Sequence, residues 1–285
     1  VDQLPSLPQR SADSHKGDYG RVLIVAGSRG MSGAACLAGV AALRGGAGLV
    51  RVATPQGVCL AVAAYEPSYL TYPLPEDHDG RLAAAALPEL LDLAKANDVV
   101  AIGPGIGQSP MISQAITSLL ATLQKPTILD ADGINALRGR SEPIDALGPR
   151  AILTPHPGEF ARLLGTDIET VQAHRTEVAV EFSHRHHCVT VLKGHGTVVT
   201  DGESVYINHT GNPGMATGGT GDVLTGLIAA LAAQGLRPFD AAVLGVHLHG
   251  LAGDLAAREL GQCALIASDL LRFLPPAIRT VHPKG

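Results

Sequence analysis

Aromatic side chains make up only 3% of this 285-residue chain, and tryptophan is absent. Stacking on aromatic rings is therefore not the main means of holding a ligand. Charge is also scarce, at 16%, and no basic run exceeds two residues. With a formal net charge of −5, a nucleic-acid groove is excluded. A phosphorylated ligand has to be held by local N–H groups and single lysines, against a mildly unfavourable overall field. Long apolar runs are missing too: the stretch from Val223 to Ala233 is too short to cross a bilayer. No basic segment followed by an apolar run opens the chain, so no secretory signal is read. It begins at Val1 without an initiator Met, which leaves processing, a trimmed boundary or excision from a longer polypeptide open. Cys36, Cys59, Cys188 and Cys263 are far apart and form no CxxC pair, the pattern of a reduced, cytoplasmic protein. Two nucleotide motifs are absent, GxGxxG and GxxxxGK[ST], which excludes a dinucleotide-binding dehydrogenase and P-loop chemistry.

What the chain does have is small residues and short apolar runs. Hydrophobic residues reach 46% and glycines number 34, which suits a compact chain with buried elements and tight turns. Residues 1–15 contain Pro5 and Pro8 and no periodicity, and read as an arm or linker. From residue 16 onward, apolar runs bounded by glycine alternate with helical patterns. Strands are expected at Arg21–Gly27, Leu49–Ala53, Asp98–Ile102, Pro126–Leu129, Ala151–Leu153 and Val189–Leu192. A hairpin is expected from Thr197–Thr200 and Val205–Asn208 around Asp201-Gly202. Helices are expected at Gly33–Leu43 and over 81–96, 109–124, 168–186, 219–234, 238–260 and 268–279. No periodic element is read between residues 54 and 80. Nothing divides residues 16–285, so the expectation is one doubly wound α/β domain, a mostly parallel sheet with helices on both faces.

The glycine, acid, His and Lys motifs then fall at the carboxyl ends of successive strands, where open α/β sheets bind ligands. The most informative is Asn212-Pro213-Gly214-Met215-Ala216-Thr217-Gly218-Gly219-Thr220-Gly221-Asp222, which runs into the apolar stretch Val223–Leu231. A glycine-rich turn feeding a helix N-terminus presents unpaired N–H groups and the positive dipole end to an anion, best a phosphate. Asp222 at that place is either a base for a hydroxyl beside the phosphate or an ordinary first-turn acid. The turn Gly103-Pro104-Gly105-Ile106-Gly107 is either structural or a ligand contact. Lys193, before Gly194-His195-Gly196-Thr197, either neutralises phosphate or sits in solvent. His156 lies between Pro155 and Pro157, with Glu159 three residues on; this is a stiff positioning loop or a helix start. Asp130 and Asp132 could hold a magnesium–phosphate through water. His184, His186, His187 and Cys188 read as a solvated helix end. His247 and His249, two apart on a helix, face different ways and cannot chelate together. No metal ligand is assigned.

Six stretches carry a resemblance: HKGDYGRVLIVAGSRGMSGAA (15–35), AIGPGIG (101–107), LDADGIN (129–135), LTPHPGE (153–159), VLKGHGTVV (191–199) and GNPGMATGGTGDVLTG (211–226). In this order they closely resemble the NAD(P)H-hydrate dehydratases, ribokinase-like enzymes that repair hydrated NADH and NADPH. The resemblance implies that Ala34, Gly105, His156 and Asp222 contact the hydrated nucleotide, with Asn135 lining the same cleft. It implies that Lys193, Gly194, His195, Gly196 and Thr197 contact the adenine nucleotide, along with Gly218, Gly219, Thr220 and Gly221. Asp222 is then the catalytic base, ADP the phosphate donor as in bacterial members (eukaryotic relatives use ATP), and magnesium the accompanying ion. The resemblance further implies a homotetramer and an association with an NAD(P)H-hydrate epimerase, to which such domains are often fused. A small-molecule kinase of the same fold and a non-catalytic nucleotide sensor are the alternatives; the acid at Asp222 speaks against the sensor.

Overall fold

In a computed structural model that describes residues 4–282, nine strands form one sheet in the order β3-β2-β1-β4-β5-β6-β7-β8-β9. The first half comprises β1 (Arg21–Val25), α1 (Ser32–Arg44), β2 (Leu49–Pro55), α2 (Gln56–Tyr65), β3 (Leu70–Leu74), α3 (Leu87–Lys95), β4 (Val99–Ile102) and α4 (Pro110–Leu120). After β5 (Thr127–Leu129) come the short helices α5 (Asp132–Asn135) and α6 (Glu142–Leu147), then β6 (Ala151–Leu153) and α7 (Pro157–Leu164). Next are α8 (Ile168–Ala173), α9 (Arg175–His186), β7 (Val189–Leu192) and the hairpin strands β8 (Val198–Thr200) and β9 (Val205–Ile207). Helices α10 (Thr220–Ala233), α11 (Pro238–Leu260) and α12 (Ala267–Val281) close the chain. Strands β1 to β7 pair in parallel, while β8 and β9 are antiparallel. The structure bears out the doubly wound, mostly parallel sheet.

The two-residue period of a strand explains how one apolar run serves two layers. Val22 and Ile24 pack with α1, α10, α11 and α12 on one face, whereas Leu23 and Val25 join Leu90, Ile116 and Phe160 on the other. Helix α10 is buried from Val223 to Ala232, which accounts for its lack of charge beyond the first turn. It lies so close to α1 that a Cβ on Gly226 would meet the Ala38 carbonyl oxygen at 2.0 Å. No helix among the described residues is long and apolar enough to cross a membrane.

Several expectations change. Helix α2 and strand β3 occupy the span that gave no signal. Val62 is the one buried residue of α2, and Pro73 interrupts an edge strand whose outer residues face solvent. The helix expected over 81–96 is α-helical only from Leu87. Before it, Leu82 bridges to Glu76, and the Asp77 carboxylate accepts from the Arg81 N–H at 2.9 Å, a local alternative to the helix. The helix expected over 168–186 breaks at His174, and Arg175 turns its guanidinium onto the Leu192 carbonyl at 2.9 Å. The region 142–147 is also helical. The arm has no helix or strand among its described residues, but it is held: Arg10 donates to the Gly46 carbonyl at 2.7 Å and lies over the Tyr19 ring. Residues 1–3 and 283–285 lie outside the described residues.

Gly226→Ala is expected to force α10 off α1 at a cost on the order of 1–3 kcal/mol. A thermal melt should show a clear fall in midpoint, and wild-type stability would remove the close approach as a constraint.

Candidate active site

Strand order reverses between β1 and β4, and the loops leaving these two strands open a crevice at the carboxyl edge. Gly27 N–H donates to the Pro104 carbonyl at 2.8 Å, and Ser28 Oγ to the Gly105 carbonyl at 2.7 Å, so the two loops form one wall. Gly105 has φ +64°, and a Cβ there would lie 2.9 Å from that of Ala34. The structure thus places Ala34 and Gly105 side by side, in a spot where a larger residue would fill the approach.

Beside this wall stands the N-terminus of α10. Gly219 precedes it with φ +95°, and no side chain caps the helix. Its first N–H groups are consequently free for an anion. Thr220 Oγ1 donates to the Met215 and Thr217 carbonyls at 3.2 and 3.1 Å, which folds the glycine turn back onto the helix. Asp254 of α11 holds the start of that turn, accepting from Gly211 N–H at 2.9 Å and Asn212 Nδ2 at 3.0 Å. His249 touches the Thr220 carbonyl through Nε2 at 2.9 Å. Burial pushes this imidazole down to about 4, so the neutral ring donates its proton there. His247 instead faces Tyr206, in line with the expectation that the two rings diverge.

Behind the helix end, three carboxylates and one ammonium cluster. Lys193 Nζ lies 2.7 Å from Asp130 Oδ1 and 3.9 Å from Glu159 Oε2. A Cβ on Gly221 would sit 3.3 Å from that ammonium, so Lys193 rests against the helix terminus and not in solvent. Burial would lower the Lys193 pKa, but Asp130 and Glu159 more than offset this and hold it raised. Asp222 goes the opposite way from a helix-terminal acid. Burial first, then Asp130, raises it to about 7, with Lys193 opposing. Desolvation is the largest of these effects.

His156 is the N-cap of α7. Its Nδ1 accepts from the N–H groups of Gly158 and Glu159 at 3.0 and 3.3 Å, and Glu159 Oε2 accepts from His156 N–H at 2.8 Å. The helix-start reading is therefore correct. Burial lowers the His156 pKa, leaving a neutral ring. Asp130 and Asp132 have different partners. Both Asp130 oxygens are occupied, by Lys193, Thr154 and Thr225, while Asp132 accepts from Gly107, Gln108 and Asn135. Ala131 between them has φ +48°, which turns the two side chains apart. Among the described residues no group of three or more His, Cys, Asp or Glu is placed to hold a metal ion.

A cleft of about 800 Å³ opens on the far side of Lys193. It is lined by Lys193, Gly194, His195, Gly196 and Thr197, together with Thr220 and Gly221. Gly218, Gly219 and Asp222 lie outside its lining, and Gly219 faces Leu37 of α1 and Ala267 of α12. Asn135 is not part of it either: it lines a separate hollow beside Gly107 and bonds Arg162 and Asp132. His249, Asp254, Glu159 and Thr225 were not among the residues the sequence reading placed at the site. Thr225 carried a signal, a polar residue inside an apolar helical run. His186 and Cys188 correct the solvated-end expectation, since His186 pairs with Asp145 at 2.7 Å and Cys188 is buried, its thiol pushed up to about 12 by burial.

The chain is similar to known proteins over nearly its whole length. The NAD(P)H-hydrate dehydratase family model matches residues 22–276. A bifunctional NAD(P)H-hydrate repair enzyme from Moorella thermoacetica is 50% identical over 97% of this chain and 52% of its own. The chain spans about half the length of the curated relatives it matches. Among solved structures, an ADP/ATP-dependent NAD(P)H-hydrate dehydratase from Bacillus subtilis, co-crystallised with ATP and Mg2+, superposes with a TM-score of 0.82. It is 34% identical, with 97% of this chain and 95% of that one covered. A ribokinase-like superfamily protein from Enterococcus faecalis superposes equally well, at 0.82, with 27% identity over 96% of this chain and 92% of its own. With the sheet, the glycine turn and the acid at the first turn of α10 all in place, the chain belongs to the NAD(P)H-hydrate dehydratase family, with a ribokinase-like fold.

Proposed function

We propose that the chain dehydrates the S-form of hydrated NADH and NADPH back to NADH and NADPH, with ADP as phosphate donor and AMP and phosphate as products. The observation that carries this reading is Asp222. It stands at an uncapped helix N-terminus between the wall at Ala34 and Gly105 and the cleft at Lys193, with a midpoint of about 7. A carboxylate so raised takes a proton near neutral pH far better than an ordinary acid. In this reading the hydrated ring lies against Ala34, Gly105 and His156, with Asn135 further along. ADP fills the cleft from Lys193 to Thr197, its terminal phosphate towards Gly218 to Gly221.

Asp222 removes the proton of the ring hydroxyl, and that oxygen attacks the terminal phosphorus of ADP. The bond from this phosphorus to the bridging oxygen breaks, and AMP leaves with the electron pair. The phosphorylated ring then expels phosphate, driven by the lone pair of the ring nitrogen, and loss of a proton from the neighbouring carbon restores the dihydronicotinamide. Hydroxide is a poor leaving group and phosphate a good one, which is why a dehydration consumes a nucleotide. The free N–H groups at the start of α10 and the Lys193 ammonium stabilise the charge on the moving phosphoryl group. Thr154, Lys193 and Thr225 already engage the Asp130 carboxylate, so a magnesium ion would come with the nucleotide. When bound, that ion offsets phosphate charge.

The same reading makes residues 16–285 the dehydratase domain and 1–15 an arm or linker, working with or fused to an epimerase. It places the protein in the cytoplasm, supported by four free cysteines. It also makes the protein a homotetramer, supported by exposed Leu60, Tyr65, Leu70 and Tyr72 on α2 and β3. Light scattering should give four times the chain mass; a monomer would overturn the tetramer.

Hydrated NADH mixed with the protein, magnesium and ADP should regain reduced-nicotinamide absorbance while AMP and phosphate appear. Recovery with ATP alone would replace the donor, and a stable phosphorylated product would mean a kinase. Asp222→Ala should abolish turnover while keeping a folded, nucleotide-binding protein. The base works only when ionised, so kcat/KM should fall as pH drops through about 7. A profile flat from pH 5 to 9 would contradict the assignment.

A further inference from the structure

The buried group the proposed reaction does not use is Asp130. It is 1% exposed and sits at the carboxyl end of β5, under the helix that supplies the anion site. Its Oδ1 accepts from Thr154 Oγ1 at 2.8 Å, after β6, and from Lys193 Nζ at 2.7 Å, after β7. Its Oδ2 accepts from Thr225 Oγ1 at 2.7 Å, one turn into α10 from Asp222. Three neighbouring elements thus converge on one carboxylate. We propose that Asp130 is a positioning residue: its hydrogen bonds fix Lys193 and the first turns of α10 relative to each other, and its charge acts directly on Asp222. This rests on the assignment of Asp222 as the base.

The geometry supports two separate effects. First, the hydrogen bond from Thr225 ties α10 to β5, and the bond from Lys193 ties the ammonium to the same carboxylate. The ammonium therefore lies against Gly221, where a Cβ would meet it at 3.3 Å and Asp130 Oδ2 at 3.9 Å. Without this anchor a flexible four-carbon side chain has to be ordered when phosphate binds, which weakens binding. Second, Asp130 is a like charge beside Asp222. The charged groups that act on Asp222 are Asp130 after β5, Glu159 on α7 and Lys193 after β7. From α11, His249 is neutral, and α1 and α12 present Leu37 and Ala267 at the adjacent Gly219. Among these, Asp130 is the strongest charge that favours the protonated form, and Lys193 opposes it.

The test uses Asp130→Asn, which keeps the size but removes the charge and replaces one of the two acceptor oxygens by a donor NH2. Carbon-13 carboxyl titration of Asp222 by NMR, with its signal identified by Asp222→Asn, reads the effect without any turnover. In Asp130→Asn the Asp222 midpoint should fall on the order of one pH unit, and ADP affinity by calorimetry should drop several-fold. If turnover is present, the acid limb of kcat/KM should move down by the same amount. An unchanged midpoint, with only a lower melting temperature, would make Asp130 a plain structural residue and overturn the proposal. Thr225→Val gives a second reading should Asp130→Asn not fold. It keeps the charge, so the Asp222 midpoint should stay at the wild-type value while ADP binds several-fold more weakly; wild-type ADP affinity in that variant would overturn the anchoring role. Failure of the dehydratase reading is seen separately, as a wild-type protein that restores no absorbance although its Asp222 midpoint and ADP affinity respond as described.

Discussion

The close packing of α10 on α1 is the constraint on which the site depends. Gly226 meets the Ala38 carbonyl, and Gly45, at the end of α1, meets Ala230. At these contacts a Cβ would come within 2.0 Å of backbone and 2.7 Å of the Ala230 methyl group, so the two helices are packed too closely for either to shift without loss of fit. The apolar surface of α10 is buried along almost its whole length, and its N-terminus therefore stops at one fixed height above the sheet. A flexible glycine turn can serve as a phosphate cradle only because the helix it feeds does not move.

With the helix end fixed, electrostatics follows from where the strands stop. The ends of β5, β6 and β7 bring Asp130, Glu159 and Lys193 under the first turn of α10. Three carboxylates against one ammonium leave an excess of negative charge in a poorly solvated place. The protein relieves it at the least costly point, on half-buried Asp222, whose proton affinity rises. Three donors hold the Asp130 carboxylate in place. Removing one partner of a buried pair of this kind costs about 3–5 kcal/mol. A helix terminus alone would have made Asp222 a weaker base; the buried neighbours make it a stronger one.

Legibility in the sequence tracked burial. Strands buried on both faces, such as Val99–Ile102, show as unbroken apolar runs, and α10 shows as an uncharged one. Helix α2 and strand β3 do not, because their apolar residues face outward and Pro73 interrupts the edge. The start of α3 is obscured by the Asp77 carboxylate, which bonds the Arg81 N–H that the helix pattern would claim. At the site, the glycine turn, Asp222, Lys193 and His156 stood out because glycine and proline punctuate the strand ends. His249 and Asp254 did not: each lies within a long helix, and only the fold brings α11 against the turn it braces. Asn135 lies at the same sheet edge, where its side chain bonds Arg162 and Asp132 beside Gly107, a pairing that its motif does not name.

The order of apolar runs and glycine turns by itself determined the layered α/β architecture and the edge at which ligands meet it, since periodicity and chain reversal are local properties. The identity of the candidate base was local too, an acid in the first turn of an uncharged helix. Its proton affinity was not. It comes from burial and from charges 92, 63 and 29 positions away in sequence, at Asp130, Glu159 and Lys193. Only the folded sheet sets those distances, and Coulomb interactions in a low-dielectric interior depend on distance and solvent exclusion, which sequence spacing does not encode.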